Sequence, residues 1–157
     1  MNQPRGARIL IVDDDQGLVS VISRVVVKMG HIPVKAYDGD EGWRRFQEGR
    51  FDMVITDLNM PGMDGMELAR RVHGKDEKVA TLIITGYGTI SSAGEALRHG
   101  VYDYLTKPFK TNVLEDMIIR VLERRALVKR SVLRRRLALG AILFGSILLL
   151  LIFLQKN

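Results

Sequence analysis

The stretch FDMVITDLNMPGMDG, residues 51–65, sets an apolar run (Met53, Val54, Ile55) against a carboxylate, Asp57, and a turn of Pro and Gly. A short apolar run bounded by turn residues predicts a strand buried on both faces. Asp57 then stands at the carboxyl end of that strand, where open parallel α/β sheets place their ligand crevice. A carboxylate there can serve as a metal ligand, a nucleophile or a helix cap. The flanking sequence separates these roles.

Upstream, ARILIV (Ala7 to Val12) is a second β-rich apolar run, and it ends in Asp13, Asp14 and Asp15. Apolar residues then recur at helical spacing from Gln16 to Met29, with Gly30 as the stop. His31 to Tyr37 predicts a strand, and Asp40 to Gln47 a short helix carrying the sole tryptophan, Trp43. Downstream, Met66 to Val72 is helical and Val79 to Ile84 is a strand closing on Thr85. Ser91 to His99 is helical, Val101 to Leu105 is a strand leading to Thr106, Lys107 and Pro108, and a helix runs on from Thr111. Strands alternating with helices predict βαβ units and a parallel sheet. The expected fold is α/β: a doubly wound five-stranded parallel sheet of the flavodoxin type, order 2-1-3-4-5, with a C-terminal helical extension.

Four of those strands end in polar groups that would converge on one crevice: Asp13 and Asp14, Asp57, Thr85, and Lys107. Three carboxylates in one place repel one another unless a cation lies among them. Mg²⁺ suits them, because it prefers oxygen ligands, keeps several waters and takes one or two carboxylates. A lysine and a hydroxyl supply the positive charge and the donor that a phosphoryl group's remaining oxygens need. The pattern describes a site at which a carboxylate accepts a phosphoryl group.

LIVDDD, TDLNMPGMDG, IITGYG and YDYLTKPF, in this order and spacing, resemble the response-regulator receiver domain of bacterial two-component systems over Arg8 to Leu122. The resemblance implies that Asp57 is the phosphoacceptor and that Mg²⁺ is held by Asp13, Asp14, Asp57 and the backbone carbonyl of Asn59. It implies that Lys107 pairs with the phosphoryl oxygens, that Thr85 donates to them, and that Tyr104 is the aromatic that changes rotamer with Thr85. The implied partner is a histidine kinase or phosphotransfer protein, with output by protein–protein interaction. Such a domain catalyses only its own phosphoryl transfer and dephosphorylation.

Plainer roles compete at each position. Asp15 is expected to cap the first helix and Asp64 the helix after the turn. Trp43, His31, His73 and His99 read as structural or surface residues, since no two histidines have metal-ligand spacing. Two other functions fit less well. A phosphohydrolase with an Asp nucleophile needs an acid/base carboxylate two residues on, where this chain has Asn59. A scaffold that is never phosphorylated has no need of the intact residue set.

Composition bounds the remainder. The chain has 157 residues and no cysteine, so there is neither a disulfide framework nor a Cys-based metal site. Its net charge of +6 is uneven: residues 1–119 hold 15 basic and 17 acidic side chains, and residues 120–157 hold nine basic and one acidic. Leu137 to Leu154 is an uncharged run of 18 residues, about 27 Å long as a helix, near the lower limit for crossing a bilayer core. The basic block before it, Arg124 to Arg136, marks a cytoplasmic flank. The expected organisation is a receiver domain over 7–122, a basic juxtamembrane helix over 123–136 and a transmembrane helix over 137–154. That places the receiver in the cytoplasm, tethered to the inner membrane by a single pass. With no helix-turn-helix after the receiver, nucleic acid is not an expected partner. Ala141 and Gly145 form a small-xxx-small pair suited to helix packing, and a phosphorylation-linked homodimer is a further expectation.

Overall fold

The computed structural model describes residues 6–86 and 101–123. The chain divides into two compact units, Met1–Arg125 and Ala126–Asn157, and the fold described is that of the first. In chain order it comprises β1 (Arg8–Val12), α1 (Gln16–Lys28), β2 (Ile32–Ala36), α2 (Gly39–Glu48), β3 (Met53–Asp57), α3 (Gly65–Lys75), β4 (Ala80–Thr85) and β5 (Val101–Thr106). A helix over 111–123 follows. The strands form one parallel sheet in the order β2-β1-β3-β4-β5, the doubly wound arrangement expected. The helix expected over 91–99, the basic segment from 124 and the run over 137–154 lie outside the described residues.

Alternation along the strands builds two apolar layers. Ile9, Ile11, Met53, Ile55, Leu82 and Ile84 pack with α1 and with Leu114 and Ile118 of the last helix. Leu10, Val12 and Val54 point the other way and pack on Phe46 of α2 and on Leu68 and Val72 of α3. Successive side chains of a strand face opposite sides of a sheet, so a strand covered on both sides must be apolar at nearly every position. All five residues of β3 and all six of β4 are buried, whereas the edge strand β2 is half exposed and carries Pro33 and Lys35. Each buried Ile or Leu contributes about 1.5–3 kcal/mol relative to exposure, so the central strands hold most of the core energy.

Aspartates start α1, α2 and α3. Asp15 caps α1 by accepting from Leu18 N at 3.1 Å, Asp38 caps α2 from Glu41 N at 2.6 Å, and Asp64 caps α3 from Glu67 N at 2.7 Å. Each side chain satisfies a donor that the first helical turn leaves without a partner. Capping by Asp38 starts α2 at Gly39, one residue before the expected Asp40. At the far end of α1, Gly30 adopts φ 79° while its N–H reaches Val27 O and the His31 N–H reaches Val26 O. That paired closure needs a left-handed residue, which glycine supplies without a Cβ clash.

Candidate functional site

The sheet order puts β1 and β3 side by side and β4 and β5 next along, so their carboxyl ends form one rim. β1 delivers Asp13 to that rim, β3 ends on Asp57, β4 ends on Thr85, and β5 leads into Lys107. Lys107 Nζ lies 2.6 Å from Asp57 Oδ1 and 2.9 Å from Asp13 Oδ2, a single ammonium shared by two carboxylates. Asp13 is 1% exposed and Asp57 6%. The Lys107 backbone is fixed as well, its N–H donating to Thr85 O at 2.7 Å, and its peptide bond to Pro108 is cis.

Each carboxylate keeps its second oxygen on a backbone donor. Asp57 Oδ2 accepts from Asn59 N at 2.8 Å, and Asp13 Oδ1 accepts from Asp15 N at 2.9 Å. These bonds fix both rotamers and aim the first oxygens at the ammonium. A close approach locks the loop behind Asp57: a Cβ on Gly65 would collide with the Asp57 carbonyl, and Gly65 N donates to Leu58 O at 3.0 Å. Glycine there lets the start of α3 sit directly against the end of β3.

The electrostatics are unbalanced, with two buried carboxylates facing one ammonium. Burial pushes the Asp13 carboxyl above its usual value, against the hydrogen bond and charge of Lys107. For Lys107 burial disfavours the charge, yet its hydrogen bonds to Asp57 and Asp13 outweigh this and hold the ammonium above its usual pKa. Contacts of 2.6 and 2.9 Å are those of charge-assisted hydrogen bonds, and they argue for an ionised pair at neutral pH. The crevice retains an excess of negative charge.

The structure brings Asp13, Asp57 and Lys107 together directly and joins Thr85 to them through the backbone. Thr85 is itself 1% exposed. Asp14 is exposed to solvent beside Asp13, apart from the ammonium-bridged pair. Asn59 contacts Asp57 through its N–H, a role that no sequence pattern assigns to it. Tyr104 packs against Ala69, Ile83 and Val101, and its buried hydroxyl has no hydrogen-bond partner among the described residues. Burial raises the pKa of that phenol. Gly65 also escapes sequence reasoning as a site residue; its only signal is the Asp-Gly step after the Pro-Gly turn.

Among the described residues no three His, Cys, Asp or Glu side chains form a metal cage of their own. Mg²⁺ does not require one, since it is held by one or two carboxylates and completes its shell with water. Two buried carboxylates with one ammonium between them, and a third carboxylate exposed alongside, are a donor set that fits such an ion.

The chain matches the response regulator receiver domain family over residues 9–119 and belongs to it. Receiver domains are signalling modules of two-component response regulators. Response regulator protein FleR of Pseudomonas aeruginosa is 35% identical over 114 residues, which cover 73% of this chain and 24% of that protein. Sporulation initiation phosphotransferase F of Bacillus subtilis is 31% identical over 115 residues, covering 73% of this chain and 93% of that protein. The chain spans 24–27% of the length of several larger regulators it matches, so their outputs do not transfer to it. Among solved structures, a receiver domain from Methanospirillum hungatei superimposes with TM-score 0.73 at 26% identity, covering 77% of this chain and 97% of that one. One from Clostridium thermocellum gives 0.71 at 31% identity, covering 78% and 98%.

Proposed function

We propose that the protein is a response-regulator receiver that accepts a phosphoryl group on Asp57 from a histidine kinase or phosphotransfer protein, in a reaction that requires Mg²⁺. The observation that carries this reading is the Lys107 ammonium held between Asp57 and Asp13. In the transfer, Asp57 Oδ attacks phosphorus, the bond from phosphorus to the donor breaks with its electron pair leaving on the donor, and an acyl phosphate forms. Lys107 then pairs with the phosphoryl oxygens, and the Thr85 hydroxyl donates to them. Asp13, Asp14, Asp57 and the Asn59 carbonyl are the groups that would hold Mg²⁺, which supplies charge neutralisation between the donor phosphate and the acceptor carboxylate. Tyr104 would change rotamer with Thr85 and so alter the surface near β5; its hydroxyl, buried without a hydrogen-bond partner among the described residues, is not tied to either position.

The second part of the reading is tethering: residues 137–154 form the single membrane pass and the basic block before them lies on the cytoplasmic side. Phosphorylation then changes self-association or partner docking at the membrane.

The test is intact-protein mass after incubation with a small acyl-phosphate donor. Full-length protein in detergent gains one labile phosphoryl group with Mg²⁺, and loses that gain without Mg²⁺ or in Asp57→Ala. A silent wild type would sink the phosphoacceptor reading and leave a scaffold. Tethering has its own check, retention in the membrane fraction through alkaline extraction; release into the supernatant would count against the anchor.

A further inference from the structure

Away from the Asp57 crevice, α1 and the edge strand β2 flank an open groove of about 590 Å³. It shares no residue with the phosphorylation site. Arg24 on α1 and Lys35 on β2 line it, and neither side chain has an ion pair or hydrogen bond among the described residues. Lys28, on the same wall, is already bonded to Glu115 at 2.9 Å. Val27 and Pro33 supply an apolar wall, and Val27 is 60% exposed.

The second observation is a hydroxyl. Ser23 also lines the groove, is 5% exposed, and its Oγ has no hydrogen-bond partner among the described residues. A serine inside a helix usually turns its hydroxyl back to the carbonyl four residues earlier. Ser20 does so, with Oγ 2.9 Å from Gln16 O. Ser23, one turn later on the same helix, does not. A buried donor left without a partner is costly, and its absence from the protein's own bonding points to a partner that comes from outside.

We propose that this α1–β2 groove binds a small phosphorylated anion. Its phosphoryl oxygens lie between Arg24 and Lys35 with the Ser23 hydroxyl as third donor, and its less polar part rests on Val27 and Pro33. Two cations on different elements and a hydroxyl suit a tetrahedral anion better than a planar carboxylate, which one guanidinium satisfies in bidentate fashion. The phosphoryl group can belong to a soluble molecule or to a lipid headgroup.

Amide hydrogen exchange on the full chain in nanodiscs, without Mg²⁺, tests the site and separates the two sources. In discs of zwitterionic lipid, inorganic pyrophosphate is added; in a second arm the discs contain phosphatidylglycerol and no pyrophosphate is present. Protection of residues 20–28 and 32–36 by pyrophosphate supports a soluble ligand, and protection only in the anionic discs supports a headgroup. In either arm Arg24→Gln with Lys35→Gln weakens the effect at least about tenfold, since two charge-assisted contacts are lost. Both side chains are outside the phosphorylation machinery, so the double variant still takes up a phosphoryl group on Asp57. Asp57→Asn retains the protection. No protection in either arm, protection that survives the double substitution, or protection that disappears in Asp57→Asn would each overturn the proposal.

Discussion

The two ends of the sheet handle charge in opposite ways. At the amino end the polar groups are matched to the backbone: Arg8 N donates to Asp52 Oδ2 at 2.9 Å, Asp52 N donates to Arg8 O at 2.8 Å, and Ala7 N donates to His31 Nδ1 at 3.2 Å. The Arg8 guanidinium lies 5.1 Å from the centroid of the Phe51 ring, over its face. At the carboxyl end, two carboxylates are buried and share a single ammonium. A protein selected for stability alone has no reason to bury the second carboxylate, because charge taken out of water costs free energy unless it is fully paired. The first end holds the fold together. The second keeps an excess of negative charge that a cation would neutralise, and perturbed charge of this kind clusters at functional sites.

The contrast breaks most sharply at Lys107. Lys107→Met leaves Asp13 and Asp57 buried with no cation, and is expected to cost about 3 kcal/mol at neutral pH in metal-free buffer. Urea unfolding measures the loss. Added Mg²⁺ restores part of it, whereas a variant as stable as wild type at pH 7 would mean that the two carboxylates do not depend on the ammonium. The same variant separates charge from packing. If the loss is electrostatic it shrinks as Asp13, whose pKa burial raises, is protonated on acidification, and a pH-independent loss would assign it to the missing side chain's contacts.

The next effect is steric. Gly65→Ala drives a methyl group into the Asp57 carbonyl, so either α3 or the end of β3 must move. The expected destabilisation is about 2 kcal/mol, with slower phosphoryl uptake by Asp57 because its carboxylate is displaced from Lys107. Unchanged stability and uptake together would show that the junction of β3 and α3 has slack.

These two residues also mark how far the sequence can be read. The strands are legible because β1, β3 and β4 are covered on both faces and so must be apolar runs, and each ends at a carboxylate or a hydroxyl. Asp13, Asp57 and Thr85 follow from that geometry, and Lys107 from the Lys-Pro step after β5. What depends on backbone placement does not. The Asn59 N–H on Asp57 involves an atom every residue but proline has, and the fit of Gly65 against a carbonyl is set by the approach of α3. The exposure of Asp14 beside buried Asp13 is likewise a matter of where β1 stops. Asp38 is hard to pick out as a cap because Asp40, two residues on, is an equally plausible helix start. The apolar run over 137–154 lies outside the described residues and stands on its sequence alone.

Asp13 sharpens the comparison with a change of opposite sign. Its pKa is raised by burial, so the native protein binds this proton more tightly than the unfolded chain does. The associated stability is present below the ordinary 3.8 and is lost as pH rises through the folded value. Asp13→Asn removes that penalty and is expected to be more stable than wild type by about 1 kcal/mol at pH 7 without Mg²⁺, while losing Mg²⁺-dependent phosphorylation. Urea unfolding at pH 7 reads the gain. The advantage disappears in acid, where wild type is protonated too. If Asp13→Asn were the less stable protein at pH 7, the pairing with Lys107 would outweigh the burial, and the electrostatic surplus at this end of the sheet would be small.

His31 gives the smallest effect and tests the quiet end. Burial lowers its pKa below 6.5, against the attraction of Asp52, and its Nδ1 must be unprotonated to accept the Ala7 N–H. A lowered histidine pKa means that the unfolded chain binds the proton more tightly. Its stability contribution is therefore complete above 6.5 and lost as pH falls through the folded value. His31→Asn keeps an acceptor near the same place but cannot take up the proton. It is expected to lie within about 0.5 kcal/mol of wild type at pH 8 and to lack the decline that wild type suffers below pH 6.5. Urea midpoints at matched pH values, wild type minus variant, read this difference directly. A flat difference would mean that His31 holds its bond to Ala7 in both protonation states, which a protonated Nδ1 cannot do, so the contact itself would have to be given up. A steep one would show that even the structural end of the sheet carries a titratable group, one whose loss of charge serves the fold and not a ligand.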